Sequence, residues 1–174
     1  VVTGVTPTIT EIDKEYAVIH MSYVVESMND KMSHYYQVDE YYNATYNRSS
    51  ETVKLLAFDR YQESFFDSGY ISKDRNSISM GVTNEPAEYV TSADYGILAF
   101  VRLGQLWMYK YNDSSLTNIF SYPQDSYSDA RTLNTNLDIN IADMDEDGNI
   151  YFVVYGYMNR GTHEGKNGMS LYYY

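Results

Sequence analysis

Residues 139–156 read INIADMDEDGNIYFVVYG. A short alternating run leads into Asp143, Asp145 and Asp147 at every second position, followed by Gly148. An apolar, β-branched and aromatic segment begins at once with Ile150. Asp and Asn bond their own backbone and tolerate left-handed conformations, and Gly accepts positive φ, so DEDGN is turn chemistry between two strands. The same residues also match D-x-D-x-D-G, the opening of a calcium loop, in which alternate carboxylates converge on a hard cation. The twelfth position of such a loop is Val154 here and the ninth is Tyr151, so the ligands that would close the shell are missing. The turn is the favoured reading. Calcium on Asp143, Asp145 and Asp147 is the alternative.

The same shape recurs twice upstream. TITEIDKEYAVIHMSYVV (8–25) and EYVTSADYGILAFVRL (88–103) each carry an alternating run, an Asp in a tight turn, and a longer apolar strand. The aligned acids are Asp13, Asp94 and Asp145. Repeats are sought first because missing them misreads the fold. A hairpin follows each: Tyr16–Val25 with His34–Tyr42, Ile97–Arg102 with Leu106–Asn112 around Leu103-Gly104, and Ile150–Tyr157 with Met169–Tyr174. The fold class is therefore mostly β, in antiparallel sheets. The units fall at about 8–60, 88–123 and 138–174, with an inserted hairpin at about 65–87 carrying turn signals at Ser68-Gly69 and Asn84-Pro86. The segment 49–66 also fits a helix capped by Ser50, but TVKLLAF is favoured as a strand.

This inner strand, turn, hairpin and outer strand resemble a β-propeller blade, with LWMYKYNDSSLTNIF (106–120) as its later strands. The resemblance spans most of the chain and is generic, since no WD dipeptide, YWTD box, Kelch diglycine or Asp-box is present. Propellers close with about 4–8 blades. Three incomplete units therefore imply a fragment of a larger propeller, or an open antiparallel assembly.

Composition narrows the function. The chain has 174 residues, 44% hydrophobic, with 21 tyrosines, no cysteine and a formal charge of −12. Tyr suits half-buried strands and wet recognition surfaces. The negative charge opposes binding to nucleic acid or an anionic membrane surface. Without cysteine there is no disulfide, thiol nucleophile or thiolate metal site. No stretch is long and apolar enough for a transmembrane helix, so direct membrane insertion is not expected. Cysteine-free, acidic, tyrosine-rich chains are associated with exported bacterial proteins. Val1 and the strand-like SLYYY ending point to a piece of a longer protein, the rest of which would be its first partner.

Two further stretches could carry contacts. The loop MNRGTHEGKNG (158–168) is longer than a hairpin needs and gathers Arg160, His163 and Glu164 as ligand candidates. In QLWMYKYN (105–112), Trp107, Tyr109 and Tyr111 share one face, either as a ligand platform or as packed core. His20 lies in an apolar strand and reads as a satisfied, half-buried residue. No G-x-S-x-G elbow or phosphate loop occurs. These features favour a non-enzymatic recognition or scaffold domain, secreted or at the cell surface, with a protein partner. The alternatives are a carbohydrate-binding or carbohydrate-acting domain that uses aromatic faces and carboxylates, and a calcium-stabilised structural module.

Overall fold

A computed structural model describes residues 1–29, 32–79, 88–121, 137–159 and 161–174. The described residues hold no α-helix and form antiparallel strands in three sheets. It divides into two compact units, Val1–Asp67 and Ser68–Tyr174.

The first unit is one meander in the order β1-β2-β3-β4. Its strands are β1 (Thr6–Ile12), β2 (Tyr16–Asn29), β3 (Met32–Asn47) and β4 (Thr52–Asp67). The disputed segment is a strand, and it runs on to Asp67, beyond the boundary near 60 expected from the repeat. Two bulges on β4, at Asn43/Ala44 and Tyr35/Tyr36 of the pairing with β3, let so long a strand keep its register. Val24, Tyr35, Val38, Phe65 and Phe66 are buried at one end of this sheet, while residues 52–64 of β4 are exposed.

The second unit opens with a short 3-10 turn (Ser68–Tyr70) and an isolated bridge between Ile71 and Ile78. Phe65 and Phe66 belong to β4, so the inserted hairpin is reduced to this bridge among the described residues; Asn84 and Pro86 lie outside them. Two meanders follow. One is β5 (Tyr89–Thr91), β6 (Ile97–Arg102), β7 (Gln105–Lys110) and β8 (Ser115–Phe120). The other is β9 (Leu137–Met144), β10 (Ile150–Tyr157) and β11 (Asn167–Tyr173). Leu103 and Gly104 both take positive φ (53° and 69°), which suits a two-residue hairpin whose twist matches its strands.

These two sheets share one core. Ile97, Ala99, Leu106 and Met108 from β6 and β7 pack with Ile139, Met144, Ile150, Phe152 and Val154 from β9 and β10. The alternation of β10 produces this contact, because Ile150, Phe152 and Val154 point to one side and successive side chains of a strand alternate. Phe120 extends it, with ring centroids 5.4 Å from Phe152 and 5.2 Å from Tyr172. The opposite side of β6 and β7 is buried as well, since Leu98, Phe100, Trp107 and Tyr109 are at most 6% exposed. A sheet buried on both faces reads as a continuous apolar run, which ILAFV and LWMY are.

Gly148 is buried against the core. Its φ is +87°, and a Cβ there would meet Ile97 Cδ1 and Met108 Sδ at 3.2 Å each. Gly161 has a similar φ of +79° with nothing within 4 Å of a Cβ. Gly148→Ala is therefore expected to cost about 2–4 kcal/mol, strain and overpacking together, and Gly161→Ala about 1 kcal/mol from strain alone. Equilibrium urea unfolding of the two variants checks the ordering; equal losses would show that Gly148 does not gate the packing.

Candidate functional site

The first hairpin of each meander turns on an aspartate. Asp13 Oδ1 accepts from Lys14 N at 2.6 Å between β1 and β2. Asp94 Oδ1 accepts from Ser92 Oγ at 2.6 Å and Gly96 N at 2.8 Å between β5 and β6. Asp145 does most, between β9 and β10. Its Oδ1 accepts from Asp147 N at 3.0 Å and Asn149 N at 2.9 Å, and its Oδ2 from Asn149 Nδ2 at 2.6 Å. The Asn149 side chain first, then the backbone N–H groups, hold the Asp145 carboxyl below the usual carboxylate range. The Ser92 hydroxyl and then the Gly96 N–H do the same for Asp94.

The neighbouring acids have different tasks. Glu146 reaches to Ala93 N at 3.0 Å and Asp94 N at 3.4 Å, so one turn caps the other. Glu88, just before β5, accepts from Ile141 N of β9. Asp143 Oδ1 accepts from Met144 N at 3.0 Å, and Asp147 is exposed. Among the described residues no three His, Asp or Glu side chains come together as a metal-ligand group. The arrangement is a set of turn locks that joins two packed sheets.

The other sequence candidates are dispersed. His163 and Glu164 sit exposed on a tight turn, with Glu164 N donating to Gly161 O at 3.2 Å and Lys166 N to His163 O at 3.2 Å. Arg160 lies outside the described residues. Trp107 is 0% exposed and Tyr109 3%, so both belong to the packed sheet and neither offers a ring face to solvent. His20 Nε2 lies 2.8 Å from Asp39 Oδ1 and its ring stacks on Tyr41 at 4.5 Å, a half-buried and satisfied histidine. His34 pairs with Asp67. A concavity lined by Ile71, Arg75, Tyr95 and Tyr111 holds room for about one water molecule, and Arg75 lies 3.6 Å over the Tyr111 ring.

The surface that gathers recognition chemistry is the outer face of β9–β11. With Ile150, Phe152 and Val154 turned inward, Tyr151, Val153, Tyr155 and Tyr157 turn outward. Antiparallel partners share a face, so Tyr173, Leu171 and Met169 of β11 stand beside Tyr151, Val153 and Tyr155. On the other flank, Asp143, Asn140 and Asp138 of β9 stand opposite the same three residues. Tyr151 is 44% exposed, Tyr155 39%, Tyr173 61% and Leu171 68%, and the Tyr151 and Tyr173 rings lie 4.7 Å apart. Sequence reasoning passed over these tyrosines. The signal was present as the spacing of Tyr151, Tyr155 and Tyr157 against Phe152 and Val154.

No family model, curated protein or solved structure matches the chain. No helix among the described residues is long and apolar enough to cross a membrane.

The Asp145 lock has a pH signature. A carboxyl whose folded pKa lies below its unfolded value of about 3.9 contributes stability above that value, and loses it as pH falls through the folded pKa. Asp145→Asn is expected to lower the unfolding midpoint at pH 7, and the two proteins are expected to converge as the pH is taken down through the acid range below the unfolded value. Thermal unfolding across that range checks it. A constant gap at all pH values would mean the lock does not depend on the charge. Because the Asp145 oxygens are turned to N–H donors, melting in calcium and in chelator is expected to superimpose.

Proposed function

We propose that the chain is a non-enzymatic recognition or scaffold domain, secreted or held in the cell envelope, that engages a protein partner through the outer face of β9–β11. The observation that carries this reading is the row of exposed tyrosines on a sheet whose other face is locked into a core. Tyr supplies large contact area at low conformational cost and keeps a polar tip, which is why it is enriched at interfaces. Leu171 and Met169 add apolar area between the rings. The sheet beneath is backed by a packed core, which limits the order to be gained on binding.

The three meanders are read as propeller-like blades. The recurrence of an Asp turn at the first hairpin of each, with Asp13, Asp94 and Asp145, supports that reading. So does the burial of β6 and β7 on both faces, which stacked blades would produce. The acidic, cysteine-free composition favours an exported location.

Carbohydrate binding is the second reading, favoured by Asp138, Asn140 and Asp143 standing on the same face as Tyr151 and Tyr155. Rings that stack and side chains that hydrogen-bond hydroxyls are both present there.

Selection of a displayed random-peptide library on the wild-type chain separates the readings. Peptides are expected to be enriched that lose at least about tenfold in affinity for a Tyr151→Ala, Tyr155→Ala, Tyr173→Ala triple variant, since interface tyrosines act as anchors. These positions are exposed, so the variant is expected to fold with unchanged far-ultraviolet dichroism. Failure to enrich any such peptide, together with retardation of the wild type but not the variant in polysaccharide gels, would replace protein recognition by carbohydrate binding. Indifference of both proteins to both probes would overturn the role of this face.

A further inference from the structure

The first unit presents a second surface, on a different sheet and with different chemistry. Its two faces follow from register. Residues directly opposed across β1, β2, β3 and β4 share a face, which gives the rows Ile9–Ile19–Tyr42–Phe58 and Ile12–Ala17–Ala44–Leu55, followed by Tyr46–Val53. The other face carries His20, Asp39, Asp59, Tyr61 and Glu63. The first face is thus apolar over its open end and the second is polar. An antiparallel sheet with one apolar face normally packs that face on another layer.

Here the apolar end is open. Ile9, Ile12, Tyr46, Val53, Leu55 and Phe58 are each between 43% and 72% exposed. Together they leave on the order of 700 Å² of residue surface, most of it apolar, in contact with water, above the ~300–600 Å² of the largest patch on a typical monomer. It is close to the ~800 Å² that each partner contributes to a standard specific interface. The patch is ordered within itself, with the Tyr42 and Phe58 rings 4.9 Å apart. It ends at a polar group: Tyr42 Oη donates to Glu40 Oε2 at 3.0 Å, and Arg60 Nε lies 3.8 Å from Glu40 Oε1.

We propose that a second copy of this chain covers this face, the two β1–β4 sheets packing face to face about a two-fold axis. The area is what a stable dimer needs from each copy. The shape is the flank of a sheet, which another sheet matches at ~10 Å with interdigitating side chains, whereas small ligands take concave sites that enclose them. A two-fold contact places the same patch on both sides, so it must be self-complementary. The rows above carry no charged residue, although the chain is −12 overall. Glu40 and Arg60, at the margin, already pair within one copy. Like charges are therefore kept out of the contact.

This dimer does not depend on the tyrosine face of β9–β11, and either proposal stands if the other fails. Sedimentation equilibrium between about 2 and 200 μM tests it. The wild type is expected to be dimeric in the upper part of this range. Ile12→Arg with Val53→Arg, at the two most exposed positions of the patch, is expected to weaken association at least about 100-fold. Tyr61→Arg, on the polar face, and the tyrosine triple variant are expected to leave association unchanged. Dilution of the wild type, followed by backbone amide chemical shifts, is expected to move residues of β1 and β4 at this end, and this holds whether or not the double variant folds. A wild type monomeric at about 200 μM overturns the proposal, as does a dimer indifferent to both arginines. A monomer that sediments with phosphatidylcholine vesicles, and loses that property with the two arginines, would assign the face to lipid and overturn it equally.

Discussion

The contact on which the second unit depends is the seating of the Gly148 turn against Ile97 and Met108. A backbone without a Cβ comes close enough there for β10 to lay Ile150, Phe152 and Val154 on β6 and β7. Once that side of β10 is committed, the period of two leaves Tyr151, Tyr155 and Tyr157 no other direction than outward. The exposed tyrosine face is in this sense a by-product of the core. A shift of one residue in register would bury the tyrosines and expose the aliphatics.

The acidic turn serves the same end. Three acids and a glycine suggest a cation loop when read in line, yet in space they separate. Asp145 folds the turn on itself, and Glu146 crosses to the neighbouring hairpin at Ala93 and Asp94. Asp143 stands on the outer face opposite Tyr151. Alternation explains the separation: residues two apart on a strand share a face only until the turn changes the direction of the backbone. The lock from Glu146 joins the two sheets at the end where Gly148 brings them closest, so hydrogen bonding and close packing reinforce each other.

Much of the fold was legible in the chain. The hairpins around Leu103-Gly104 and after Asp145 lie where turn chemistry and alternation put them, and the strand reading of TVKLLAF is the observed one. The local signal was strong because turn residues and β-branched runs act over a few positions. The site was less legible. Alternation tells which residues share a face and is silent about which face is covered, since covering depends on contacts distant in sequence. Trp107 and Tyr109 fit either a platform or a packed core by type, with the core favoured, and the strand that holds them is buried on both sides. Tyr151, Tyr155 and Tyr173 became visible as a surface only when β11 was placed beside β10. The length of β4 also escaped the pattern, because its bulges interrupt the period that would have revealed it.

The edges of the first unit bear on the proposed self-association. An open sheet can associate by adding strands at an edge or by stacking on a face. The edges here are blunted: β1 carries Pro7 and a bulge at Thr10, and β4 carries two bulges and the charges of Lys54, Asp59, Arg60 and Glu63. Proline, bulges and edge charges are the devices that suppress strand addition. The open apolar rows have no such protection. Unlimited growth by edge pairing is thereby disfavoured, while the stacking of two faces closes after one partner. Guarded edges beside one open apolar face thus fit the proposed finite association through side chains better than growth by strand addition.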